Sequence, residues 1–291
     1  MSDSVLTARR EFRDVLSIDP ARVGKSVRAS GFTVLAAAFL LLVLGWAAAP
    51  SLFAGGDPLH GIPEEKLRAP SARHWFGTDN LGRDLYTRVV HATELSLTAT
   101  IAAVAIGLIA GALVGLLAGS LGGVVDAALM RIIDVLLSIP ELLSALVLVT
   151  ALGFGTRNVA IAVGVALVPT FARVMRAEVV RVRRAPYVEA AFASGVRWPA
   201  VLIRHVLRTA YAPVAALAAI EFGVAVLAVS SLSFLGYGAP PPTPEWGSLI
   251  SGGRDYLAVA WWMTTLPGLV IVAVVLAAQR LGRALARDGD R

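Results

Sequence analysis

The sequence predicts an all-α integral membrane protein with six transmembrane helices and both termini on one side. Three observations carry that expectation. The 291 residues are 57% hydrophobic and only 16% charged, with a mean hydropathy of +0.73, too apolar for an ordinary soluble domain. Six apolar segments, 31–53, 96–121, 131–153, 158–176, 210–236 and 262–282, each reach the roughly 20 residues that a helix needs to cross about 30 Å of hydrocarbon. Between the fourth and fifth runs a polar stretch, Arg173 to Arg208, too rich in arginine to enter hydrocarbon and so confined to a loop on one side.

Basic residues set the orientation. With the termini in the cytoplasm, 19 of the 26 Lys and Arg residues lie inside: six before the first span, Arg131, eight from Arg173 to Arg208, and four at the tail. Five of the seven outside fall in one long loop, where the positive-inside rule has less weight. The expected organisation is a cytoplasmic leader (1–30), a six-helix membrane domain (31–282) and a cytoplasmic tail (283–291). Within the domain lie external loops at 54–95 and 237–261 and a cytoplasmic loop at 177–208. The pI near 10.3 then reflects cytoplasmic anchoring and contact with anionic lipid headgroups, not nucleic-acid binding. Ala47-Ala48-Ala49 has the small residues of a signal cleavage site, but Pro50 follows at once and five more spans come after, which favours an uncleaved anchor.

The first span therefore anchors the leader. In the second, Gly107, Gly111, Gly115 and Gly119 recur at spacing four on one helical face. Small residues so placed let another helix approach closely, with internal packing favoured over a second subunit. Near the start of the third span, Asp134 lies three residues after Arg131 and can pair with it, whereas Glu141 lies about a turn deeper, where a carboxylate needs a cavity, a partner or a gate to face. Glu221, close to the middle of the fifth span, is the best single pathway candidate. The alternative is a protonated Glu221 hydrogen-bonded to a neighbouring helix.

The polar loop has internal structure. Tyr187 to Ser194 permits a helix, Gly195 supplies a left-handed turn, and Val196 to Leu207 resumes a helix with Pro199 near its start. Catalytic and metal chemistry find no footing. There is no cysteine, and the histidines at 60, 74, 91 and 205 lack ligand spacing. Gly24-Lys25-Ser26 resembles a phosphate loop only superficially, since Asp19 stands where the first glycine belongs. The chain is not expected to be an enzyme or to bind a cofactor itself.

Four motifs, in order, carry a resemblance that runs from about Phe32 to Arg287. Glu189-Ala190-Ala191, followed by Gly195, resembles the EAA loop of ABC-type import permeases, and Tyr187, His205 and Leu207 extend the match toward the dipeptide, oligopeptide and nickel branch. Arg208 replaces the proline expected there. Gly77-Thr78-Asp79 with Gly82-Arg83-Asp84 is similar to that branch's outer-loop signature, in which Asp79 or Asp84 can pair with Arg83, Arg73 or Arg88. Met130 to Asp134 with Ser138-Ile139-Pro140, and Leu232 to Gly236 with Pro240 to Ser248, complete the set. Val229 stands where many peptide-type relatives carry an acid.

The resemblance implies the type I ABC importer permease fold, as the C-type subunit for di- or oligopeptides, with nickel or another small solute as the alternative. It implies as partners a homologous second permease, two cytoplasmic ATPases that hold ATP and magnesium, and an extracytoplasmic solute-binding protein, in the bacterial inner membrane. A proton-coupled secondary transporter using Glu141 and Glu221, or a non-transporting scaffold, would leave the Glu-Ala-Ala loop unexplained.

Overall fold

The computed structural model describes residues 20–196, 198–202 and 207–289. Among them are eleven α-helices: α1 Pro20–Ala48, α2 Pro50–Phe53, α3 Leu85–Leu121, α4 Gly123–Leu137, α5 Glu141–Leu152, α6 Thr156–Arg183, α7 Pro186–Ala193, α8 Trp198–Val201, α9 Leu207–Phe234, α10 Trp246–Gly253 and α11 Trp262–Gly289. Five are long and apolar enough to cross a membrane, and six spans result when α4 and α5 count as one.

Two spans differ from the sequence expectation. The second starts at Leu85, not near 96, because the Asp84 side chain caps the helix by accepting from the Thr87 backbone N–H at 2.7 Å. The third is not a straight helix over 131–153. α4 and α5 meet at a 92° corner. Pro140 has no N–H to give to α4, and it disfavours helical geometry at Ile139, so the chain turns over Ser138–Pro140 and restarts at Glu141.

The most extensive helix contact joins α3 and α6, and the four spaced glycines of α3 make it possible. A Cβ added at Gly107 would lie 2.6 Å from Cβ of Leu167, one at Gly111 2.6 Å from Cβ of Phe171, and one at Gly119 2.7 Å from Cβ of Val179. At Gly115 it would strike the Ala172 carbonyl. Gly164 of α6 reciprocates against Ala103 and Ile106. Backbones therefore meet where side chains ordinarily stand. Because the partners advance together along both chains, α3 and α6 run parallel, and the bent pair α4–α5 must return the chain from one end of the seam to the other.

Three apolar clusters stack along the bundle. At one end, Val43 and Trp46 of α1 meet Val89 and Val90 of α3, Trp246 of α10 and Val274 of α11. In the middle, Ala103 of α3, Val149 of α5, Val163 and Leu167 of α6 and Leu232 of α9 pack together. At the other end, Met175 and Val179 of α6 and Val214 of α9 enclose Val188 of α7 and Val201 of α8.

Candidate coupling loop and translocation site

The loop from α6 to α9 forms a projection held by its apolar residues. α7 begins with Pro186, whose missing N–H costs nothing at a helix start. Val188 and Val201 are fully buried against α6 and α9, whereas Tyr187 and Ala190 are exposed. Glu189 and Ala191 lie on α7, but their side chains are outside the described part of the structure. Ser194 closes the last turn through its N–H and its Oγ, both donating to the Ala190 carbonyl at 3.0 and 2.9 Å. Gly195 then adopts φ +79°, a conformation that glycine takes without Cβ strain. Leu207 opens α9 and is exposed, and His205 lies outside the described residues.

The arginines before this projection act as clasps more than as a free positive face. Arg176 meets Asp126 of α4 with two parallel bonds, Nε to Oδ1 at 2.8 Å and an η nitrogen to Oδ2 at 2.6 Å. Arg173 reaches Asp134 at 2.5 Å. Asp134 thus pairs across helices, not with Arg131 as the sequence suggested, because α4 and α6 lie side by side. Arg183 donates to the carbonyls of Gly119 and Ser120 at 2.7 and 2.9 Å, satisfying the C-terminal end of α3. Sequence reading missed these clasps. The acids at 126 and 134 were the available signal, but their partners become neighbours only through the fold.

Glu141 and Glu221 stand beside the same apolar cluster. Glu141 opens α5 one turn before buried Ala145, and Glu221 sits on α9 one turn before buried Ala225. Both therefore floor the middle apolar cluster, close enough for their charges to interact. Glu221 is only 9% exposed, and one Glu141 carboxylate oxygen is shielded without a hydrogen-bond partner. The first turn of α5 offers Glu141 the positive end of a helix. Glu221 lies in the interior of α9, away from any helix end, so its carboxylate is the costlier of the two to bury.

At the opposite end, Asp79 organises the outer-loop motif. Its Oδ1 accepts from the N–H groups of Leu81 and Arg83 at 2.8 and 3.0 Å, and its Oδ2 accepts from Arg83 Nε at 2.7 Å. Among the described residues Asp84 pairs with no arginine; besides capping α3 it meets His74 Nδ1 at 2.8 Å. Arg73 pairs with Glu65. Trp246 is fully buried, with its N–H on Ser96 Oγ at 3.1 Å and its indole N–H on the Val89 carbonyl at 3.3 Å.

Several helices able to span a membrane, together with a short-helix loop that turns at a left-handed glycine, define a multi-pass membrane component. Residues 111–288 match the family of binding-protein-dependent transport system inner membrane components, and the chain belongs to that family. It is 36% identical over 223 residues to a dipeptide transport system permease of Alkalihalophilus pseudofirmus, covering 77% of this chain and 73% of the relative. It is 37% identical over 259 residues to a glutathione transport system permease of Shigella flexneri, covering 89% and 86%. The fold matches the inward-facing methionine ABC transporter MetNI with a TM-score of 0.57, at 17% identity, over 71% of this chain and 98% of that one.

Proposed function

We propose that this chain is the membrane subunit of an ATP-driven peptide importer, forming half of the translocation path for di- or oligopeptides. The observation that carries the reading is similarity to dipeptide and glutathione permeases over most of the chain, joined to a projection whose geometry suits docking. In this reading a homologous permease completes the path, and an extracytoplasmic binding protein delivers the solute. Two cytoplasmic ATPases, which hold the ATP and magnesium, receive α7 and Gly195. The termini face the cytoplasm.

The projection is a lever because its root is stiff. Val188 and Val201 lock α7 and α8 to α6 and α9, and Arg176 and Arg183 lock α6 to α4 and α3. Motion imposed on Tyr187, Glu189, Ala190 and Ala191 therefore passes into four helices at once. ATP drives the cycle only if the two states of the helices bind it unequally. Glu221 and Glu141 offer negative charge to the protonated amine of a peptide inside the path.

Purification from the native membrane in mild detergent, with mass spectrometry and an ATPase assay, tests this. A second permease and ATPase subunits should co-purify, and dipeptides should stimulate hydrolysis. Recovery of the chain alone, with proton-dependent uptake after reconstitution, would overturn it.

A further inference from the structure

The end of the bundle opposite α7 holds a cavity of about 140 Å³, lined by Asp79, Asn80, Arg83 and Arg88 from the motif side and by Thr243 and Ser248 from the proline-rich side. Its charge does not balance. Arg88 is 5% exposed, and Arg83 is also largely shielded. Both guanidiniums face one carboxylate, that of Asp79, whose oxygens are already occupied by Leu81, by the Arg83 N–H and by Arg83 Nε. Arg88 is left at 3.6 Å from Oδ2, an ion-pair distance without a hydrogen bond, and its Nε is buried and unpartnered. One of its η nitrogens donates to the Pro58 carbonyl at 2.8 Å, which fixes the side chain in place.

A guanidinium carries five N–H donors in a planar fork. Among the described residues, Arg83 spends one on the Asp79 side chain and Arg88 one on Pro58. The cavity thus presents an excess positive charge with donors in hand, in a setting where an unbalanced charge is expensive. Asn80 and Thr243, whose side chains carry an amide and a hydroxyl, also line the cavity. Ser248 contributes lone pairs only, since its hydroxyl proton goes to the Glu245 carbonyl.

We propose that this cavity is an anion subsite that takes a carboxylate. A planar two-oxygen anion matches a planar fork and cancels the surplus charge. The volume admits a carboxylate and the atoms next to it, not a whole peptide. The group comes either from the C-terminus of a solute or from an acidic side chain of a protein docking at this end.

The test uses the full chain purified with the subunits that accompany it. Thermal unfolding is followed at constant ionic strength while sodium chloride is replaced by sodium acetate, with acetamide as the neutral isostere. At about tenfold excess over Kd, acetate should raise the transition by about 2–5 °C, saturably, whereas acetamide should not. Arg88→Gln should abolish the response. Because that change also frees the Pro58 carbonyl, Asn80→Asp serves as the second variant: it keeps both arginines, places a carboxylate at the cavity wall, and should abolish the acetate response without lowering the transition in chloride. An equal effect of acetate and acetamide, no gain of acetate over chloride, or an acetate response that survives in Asn80→Asp overturns the proposal.

The source of the carboxylate is a separate readout that rests on the importer reading, whereas the acetate response does not. If the solute supplies it, reconstituted uptake should prefer dialanine over dialanine amide, and Asn80→Asp should erase that preference. If a docking protein supplies it, Asn80→Asp should weaken docking by about tenfold, the cost of losing one charge-assisted pair, and leave the acid-to-amide ratio unchanged.

Discussion

The two ends of the bundle are built by opposite means. At the outer-motif end, backbone and indole hydrogen bonds knit Trp246, Trp262 and Asp79 into a cap around one apolar cluster. At the projecting end, two short helices hang on Val188 and Val201, and charged clasps of Arg173, Arg176 and Arg183 hold the helices beneath them. A cap of buried aromatic rings resists local opening. A projection attached by two small side chains can shift as a body, provided that the seam beneath it stays rigid. Between the ends, the α3–α6 contact has no slack, since each of its glycines touches the facing backbone or Cβ.

The largest expected effect comes from breaking that seam. Gly111→Leu places a Cβ 2.6 Å from Cβ of Phe171 with three further carbons behind it, and α3 and α6 must separate to admit it. Ordinary core overpacking costs about 1–3 kcal/mol, but here the added carbons meet a Cβ and the Val168 carbonyl that cannot swing aside, which puts the change among the exceptional ones above about 5 kcal/mol. Because it acts on the most extensive helix contact, folded complex should be nearly absent in detergent gel filtration. Next, Trp246→Ala should cost about 3–5 kcal/mol, the range for removing a buried large aromatic. Val188→Ala should cost about 2 kcal/mol, roughly half of that, since it deletes two methyl carbons at about 0.8 kcal/mol each plus a small cavity. Thermal melts of the two variants compare the ends directly. Equal shifts would mean that the projection is as firmly embedded as the cap.

Much of this architecture is legible in sequence, and the exceptions share a cause. Apolar length identifies the membrane spans because it is a property of each segment alone. The glycine periodicity of α3 shows a close-packed face, but not that α6 fills it. Proline is the instructive case. Pro140 sits at a 92° corner, whereas Pro169, Pro213 and Pro267 lie inside continuous helices. The residue type is the same, and packing of neighbouring helices decides whether the lost hydrogen bond becomes a break. Asp134 teaches the same lesson: local spacing offered Arg131, but the fold supplies Arg173. In the candidate site, Glu141 and Glu221 stood out singly as costly charges. Their place beside one apolar cluster, and the gathering of Arg83 and Arg88 with Thr243 and Ser248 around one cavity, depend on segments distant in sequence.

A smaller effect on stability but a large one on function is expected at Gly195. A Cβ there meets nothing within 4 Å, so the penalty of Gly195→Leu is confined to holding φ +79°, about 1–2 kcal/mol. Insertion and assembly should survive while solute-stimulated ATP hydrolysis falls at least about tenfold, and Glu189→Ala should reduce it in the same assay. Normal transport by the double variant would remove this loop from the coupling path.

The smallest expected change tests whether the clasps add stiffness without adding much stability. The Arg176 side chain is 37% exposed and that of Asp126 18%. Solvent screening therefore limits the pair to about 1 kcal/mol, even with bidentate geometry. Arg176→Gln and Asp126→Asn should each lower the melting transition by only a few degrees. If the clasp transmits motion from α7 through α6 to α4, both variants should nevertheless loosen the dependence of ATP hydrolysis on solute. The charge-reversed double variant, Arg176→Asp with Asp126→Arg, should recover part of that dependence, because the same two positions again face each other with opposite charge. Loss of stability without loss of solute dependence would make the pair a fastener of the fold only, and the stiffness of the lever would then rest on Val188, Val201 and the glycine seam.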